Sequence, residues 1–164
     1  MFKVGDFVIY KNDVCKVKEI LNNHYAGKDY YRLNPIDDNT LTIDVPTENK
    51  MGYLKEVMSK KEAEQLILKM PKITPIDCND RLIENEYKKL MYSGKKEDLI
   101  RIIKTTYLRN TERVRAGKKI GEKDDTYFQK AEKIIYNELS ISLGMTYEET
   151  KQYVIDTITQ LEQS

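Results

Sequence analysis

The sequence predicts an α+β protein, a small five-stranded β-barrel followed by an all-α helical domain. Three observations predict it. Up to about residue 58 apolar residues alternate, in VGDFVIY, VCKVKEI, DYYRLN and LTIDV, which is the two-residue period of strands half-buried in a sheet. From residue 59 onward apolar residues recur at three- and four-residue spacing, cut by Gly and Pro into helices of ordinary length. The charge changes as well. Residues 72–120 carry 13 Lys/Arg against 7 Asp/Glu, residues 121–164 carry 4 against 9, and residues 1–71 are balanced at 11 of each. The net charge of +1 averages these blocks away.

The elements follow in order. The first strand is expected over Lys3 to Tyr10, with Val4, Phe7 and Ile9 inward and a bend or bulge at Gly5-Asp6. Asn12-Asp13 reads as a turn and Val14 to Leu21 as the second strand. Asn22 to Lys28 then forms a loop holding His24, the only histidine. Asp29 to Leu33 is strand three, Asp37-Asp38-Asn39 a turn, and Leu41 to Val45 strand four. Pro46 ends that strand, because proline cannot donate to a ladder. Tyr53 to Val57 supplies a short fifth. Five short curved strands in under 60 residues suggest an SH3-like barrel. This first domain, residues 1–58, is near the lower limit for a self-sufficient core.

Residues 59–78 read as a capped helix and a linker. Ser59 and Glu62 make a capping box, Ala63, Leu66, Ile67 and Met70 give an apolar face, and Pro71 and Pro75 interrupt the chain. The helical domain, residues 79–164, contributes four more helices. Asn79 or Asp80 caps the first, whose stripe is Leu82, Ile83, Tyr87, Leu90 and Met91 and which Gly94 ends. The second runs from Lys96 to Arg115, with Leu99, Ile102, Ile103, Thr106, Tyr107 and Val114 inward. Asp124 or Asp125 opens the third and Gly144 closes it. Thr146 and Glu149 form a capping box for the last, which carries Tyr153, Val154, Thr157, Ile158 and Leu161.

Composition excludes several classes. No apolar run approaches the ~18–20 residues that span a bilayer, and the first residues read directly into a strand. A cytoplasmic, monomeric protein with Cys15 and Cys78 reduced is expected. There is no phosphate-cradling Gly-rich loop, no nucleophile elbow and no Cys/His pairing, so an enzyme is not expected and no cofactor is implied. His24 stands alone in its loop and reads as a surface residue, because metal sites need several converging ligands.

The basic stretch carries the strongest chemical signal. Arg101, Lys104, Arg109 and Arg113 can share a helical face away from the apolar stripe, and Lys118-Lys119 follow in a loop. Such a surface suits phosphate contacts, which supply affinity and positioning without sequence information. The alternative is an ordinary solvated face paired with the acidic segment after residue 121. Tyr87, Tyr107, Tyr136 and Tyr153 fall on apolar stripes and are expected in the core, whereas Tyr92, beside Ser93-Gly94, is less constrained.

Taken in order, FKVGDFVIYKNDVCKVKEI, YYRL and LTIDVPTENKMGYLKEV resemble the polymerase-interacting domain of CarD-like (CdnL-type) bacterial transcription regulators. That domain is shared with transcription-repair coupling factor. NDRLIENEYKKLMYSGKKEDLIRIIKTTYLRNTERVRAGKK and AEKIIYNELS resemble the helical domain of the same regulators, so the likeness covers nearly the whole chain. It implies a non-enzymatic protein whose Tudor-like barrel binds the RNA polymerase β subunit. Its helical domain would contact promoter DNA at the upstream edge of the melted region and alter open-complex stability.

The resemblance places the polymerase contact at Asn23, His24, Thr42 and Asp44. Relatives carry basic residues near the positions of Asn23 and Asp44, where this chain is neutral and acidic. The basic stretch supplies the expected DNA contact at Arg81, Lys88, Lys89, Arg101, Lys104, Arg109, Arg113, Lys118 and Lys119, with Ile76 added by comparison with the relatives. Relatives have a tryptophan just before the first helix of this domain, which wedges against a base. This chain has no tryptophan, and Ile76 is the aliphatic candidate for that role. An adaptor that holds polymerase or another protein without touching DNA is the rival reading.

Overall fold

A computed structural model describes residues 1–163. The chain divides into two compact units, one ending at Met58 and the other beginning at Ser59.

The first unit is an antiparallel sheet of five strands: β1 (Phe7–Tyr10), β2 (Asp13–Tyr25), β3 (Lys28–Pro35), β4 (Ile43–Pro46) and β5 (Leu54–Glu56). Their order is β4-β3-β2-β1-β5. The sheet is open, with β4 and β5 as its two end strands, where the sequence suggested a barrel. The chain between those ends bonds to itself instead. The Asn49 side chain accepts the Leu54 amide at 3.1 Å and donates to the Leu54 carbonyl at 3.0 Å, mimicking a strand partner.

Register explains the core. Val8 lies opposite Cys15, Val17 opposite Leu33, Tyr31 opposite Val45 and Tyr10 opposite Leu54. Residues paired across strands share a face, and these side chains form one cluster joined by Phe2, Ile20 and Ile43. The expected strand from Lys3 is shorter, and Val8 replaces Phe7 inside. Gly5 (φ 93°) lies before the strand begins, and Val4 and Phe7 are exposed. Ile9 is buried as expected. Burial pushes the Cys15 thiol up to about 12, and both cysteines are free.

The loop expected at Asn22 to Lys28 is instead mostly strand. β2 runs on to Tyr25 and turns directly into β3 at Ala26-Gly27, both at positive φ (54° and 74°), the geometry of a two-residue hairpin. An irregularity between Leu21 and Tyr25 absorbs the extra residues, with Asn23 also at positive φ (50°).

The second unit holds α1 (Lys60–Lys69), α2 (Ile83–Met91), α3 (Lys96–Arg115), α4 (Glu122–Leu143) and α5 (Tyr147–Gln163), with short 3-10 turns at Met70–Lys72 and Asp80–Leu82. Ser59 and Glu62 close the expected capping box, and Thr146 and Glu149 a second. Gly144 (φ 67°) ends α4, its successor's amide reaching back to the Ser140 carbonyl at 3.0 Å. Residues 59–78 belong to this unit, since α1 buries Ala63, Leu66 and Ile67 and touches α4 and α5.

Helices α3 and α4 run antiparallel. The buried Glu138 carboxylate receives Lys96 from the start of α3, while Asp124 receives Arg109 from its far half. Tyr107 and Val114, expected inward, are exposed. They line an open groove of about 330 Å³ with Ile120 and Phe128, because no element among the described residues covers the outer side of that half of α3. No helix among the described residues is long and apolar enough to cross a membrane.

Candidate interaction surfaces

On the solvent face of the sheet a row of charges crosses three strands. Arg32 of β3 lies opposite Glu19 of β2 and Asp44 of β4. Its guanidinium grips Asp44 through two hydrogen bonds, 2.9 and 3.0 Å, and reaches Glu19 at 3.9 Å. His24 comes in from the irregular end of β2, its Nε2 3.3 Å from Asp44 Oδ2 and its ring edge-on to Tyr30. Asn23 is pinned beside it, donating its amide to Asp29 at 2.9 Å.

Three of the four residues assigned to the polymerase contact are therefore gathered here. Thr42, exposed, immediately precedes β4, which begins one residue later than its position requires for membership of the strand. The sequence pattern missed Arg32 and Glu19. Only the register shows that Arg32 meets both Glu19 and Asp44.

Asp44 is consequently not an unpaired negative charge. The Arg32 hydrogen bond first, and His24 with it, hold its carboxyl below the usual carboxylate range. A carboxylate depressed in the folded state contributes stability above its unfolded value of about 4, and that contribution fades as pH falls through the lowered value. In a carboxyl NMR titration Asp44 is expected to titrate below ordinary aspartates. Arg32→Met should return it to their range, and an unmoved Asp44 would show that the row does not persist in solution.

A pocket of about 290 Å³ opens beside β4, between Asp44, Pro46, Met51 and the edge-to-face pair Tyr10–Tyr53. Among the described residues no three His, Cys, Asp or Glu side chains converge to hold a metal ion.

The basic surface of the second unit differs from the helical-wheel expectation. Arg101 donates to the Thr74 carbonyl at 3.0 Å and to Asp98 at 3.0 Å. Lys104 reaches the Ile73 carbonyl at 2.7 Å. Arg113 donates to the Lys119 carbonyl at 2.9 Å. Arg109 joins α3 to Asp124 of α4 at 3.1 Å and to Asp80 at 2.7 Å. These four cations tie chain segments together within the unit. A shared outward face does not hold for all four: Arg109 turns in against the buried Asp124, and residues 73–74 and 119 fold back onto the other three. Arg109 also confirms in part the sequence alternative of pairing with the acidic segment after residue 121.

Asp124 is only 5% exposed and also accepts the Tyr87 hydroxyl at 2.7 Å. Burial and that hydrogen bond push the Tyr87 phenol far above its ordinary value. Sequence reasoning had Tyr87 in the core and Asp124 at a helix start, yet no local signal joins residues 37 apart.

The remaining cations face solvent. Lys88 and Lys89 make long surface pairs with Glu84 (3.5 Å) and Glu86 (3.8 Å). Arg81, Lys118 and Lys119 are exposed, and none of their side chains has a charged partner among the described residues. Ile76 is half-buried, and its backbone amide donates to the Thr105 hydroxyl at 2.8 Å, which fixes the main chain at that point.

Compared with known proteins, the chain matches no family model and no curated protein. Its functional reading therefore rests on these two surfaces and on the ordered sequence likeness given above.

Proposed function

We propose that this chain is a CarD-like regulator of transcription, joining RNA polymerase to promoter DNA without catalysing a reaction. The first unit would dock on the polymerase β subunit through β4, and the second would contact DNA phosphates near the upstream edge of the bubble, changing open-complex stability. The observation that carries the reading is the position of β4 as an end strand of an open sheet, with Asp44 and His24 on its flank. An end strand accepts an added strand from a partner, and side chains beside it set specificity. A Tudor-like character for the open sheet belongs to the same proposal.

The DNA contact in this reading falls to the exposed cations: Arg81, Lys88, Lys89, Lys118 and Lys119. The adaptor reading, protein binding with no DNA contact, gains from the internal use of Arg101, Lys104, Arg109 and Arg113.

Two measurements separate the readings. Polymerase capture by the full chain is expected to change at least about tenfold with Asp44→Arg, because reversing a charge at a specific contact alters affinity. Capture indifferent to that change would remove β4 as the docking strand. Duplex binding should weaken steeply with salt and lose about two ion equivalents in Lys118→Glu/Lys119→Glu. No binding at low salt would favour the adaptor.

A further inference from the structure

Helix α2 has an outward face that packing does not explain. Its buried side is Ile83, Tyr87 and Met91. On the opposite side Arg81, Asn85, Lys88 and Tyr92 are all exposed, at a spacing of four, three and four residues that aligns them along one face. Lys89 lies beside the line, and Lys95, also exposed, follows in the chain after the Ser93-Gly94 turn. Tyr92 is 80% exposed, the most exposed aromatic side chain among the described residues.

A hydrogen-bonded turn follows Tyr92 directly. Ser93 bonds the Leu90 carbonyl through both its amide (3.3 Å) and its hydroxyl (3.1 Å), and the Lys95 amide donates to the Ser93 hydroxyl at 3.1 Å. Among the described residues the Tyr92 ring has no aromatic, cationic or hydrogen-bonding partner. An exposed ring adds little to stability, but it offers a flat apolar face with only two side-chain torsions to order. The nearby carboxylates, Glu84 and Glu86, meet Lys88 and Lys89 only at 3.5 and 3.8 Å, and pairs of that kind in water yield readily to a phosphate.

We propose that Tyr92 stacks on an unpaired base, while Arg81, Lys88, Lys89 and Lys95 contact the phosphates of the same single strand. Aromatic stacking flanked by cations is how proteins hold single-stranded nucleic acid, and it tolerates any sequence because every base has a flat face. The inference rests on the proposed DNA contact and makes it specific: the second unit prefers unpaired DNA over duplex.

The test uses the full chain at low salt with two labelled DNAs, a duplex bearing an unpaired arm and the fully paired duplex. Wild type should bind the forked DNA more tightly. Tyr92→Ala should weaken fork binding about 5- to 100-fold and leave duplex binding unchanged, while Tyr92→Phe should keep the preference. Fork binding unchanged in Tyr92→Ala, or an equal loss on both DNAs, overturns the stacking role while the DNA contact stands. Wild type binding neither DNA overturns both.

Discussion

Replacing Arg109 with leucine is expected to destabilise the helical unit by about 3–5 kcal/mol, because it strands the Asp124 carboxylate in a buried site. Asp124 would keep only the Tyr87 hydroxyl, too little to offset the loss of water around a charge. Urea unfolding followed by helical circular dichroism measures the loss. The triple change Arg109→Leu/Asp124→Leu/Tyr87→Phe should recover much of it, since an apolar set of similar volume removes the buried charge and the orphaned hydroxyl together. A loss below about 1 kcal/mol in the single variant would mean that water reaches Asp124 and that the pair is a surface feature. The result matters for function. Under the proposed function, charge reversal at Arg109 would act on DNA binding through the loosened unit, so Lys118, Lys119 and Tyr92 are the cleaner probes.

Tyr31→Ala is expected to remove about 3–5 kcal/mol from the sheet unit. Tyr31 is 2% exposed, lies against Val45 across the β3–β4 ladder, accepts the Phe2 amide at 3.2 Å and stacks edge-on with the Phe2 ring. A unit of about 58 residues has roughly 3–9 kcal/mol in total, so most of its stability would go. Amide NMR should show the sheet resonances collapsing while the helical ones persist, because each unit has its own core. Simultaneous loss of both sets would show that the two units fold as one. If the proposed function holds, polymerase capture disappears with the sheet.

Much of the architecture was legible in the residues. The change of period at Ser59, both capping boxes, the 20-residue α3 from Lys96 to Arg115 and the αL glycine at Gly144 are local events, governed by neighbours within one or two turns. The errors have a common cause. Val8 joined the core cluster in place of Phe7 because both faces of β1 are covered at its centre, where Val8 and Ile9 are both buried, and the His24 loop became strand because an irregularity between Leu21 and Tyr25 let the ladder continue. Tyr107 and Val114 satisfy a helical stripe but face outward, because a stripe states what is apolar and not whether anything covers it.

Sequence alone determined the two-part organisation, the helix boundaries near their caps and the placing of positive charge along α2 and α3, since each depends on short-range periodicity and composition. Tertiary structure decided whether the sheet closes, which strand lies at its end, and which cations remain available to a partner. Those depend on contacts such as Arg109–Asp124, Arg32–Asp44 and Lys104 with the Ile73 carbonyl. The physical reason is that a charge's availability is set by the nearest opposite dipole in space, and chain separation carries almost no information about that distance.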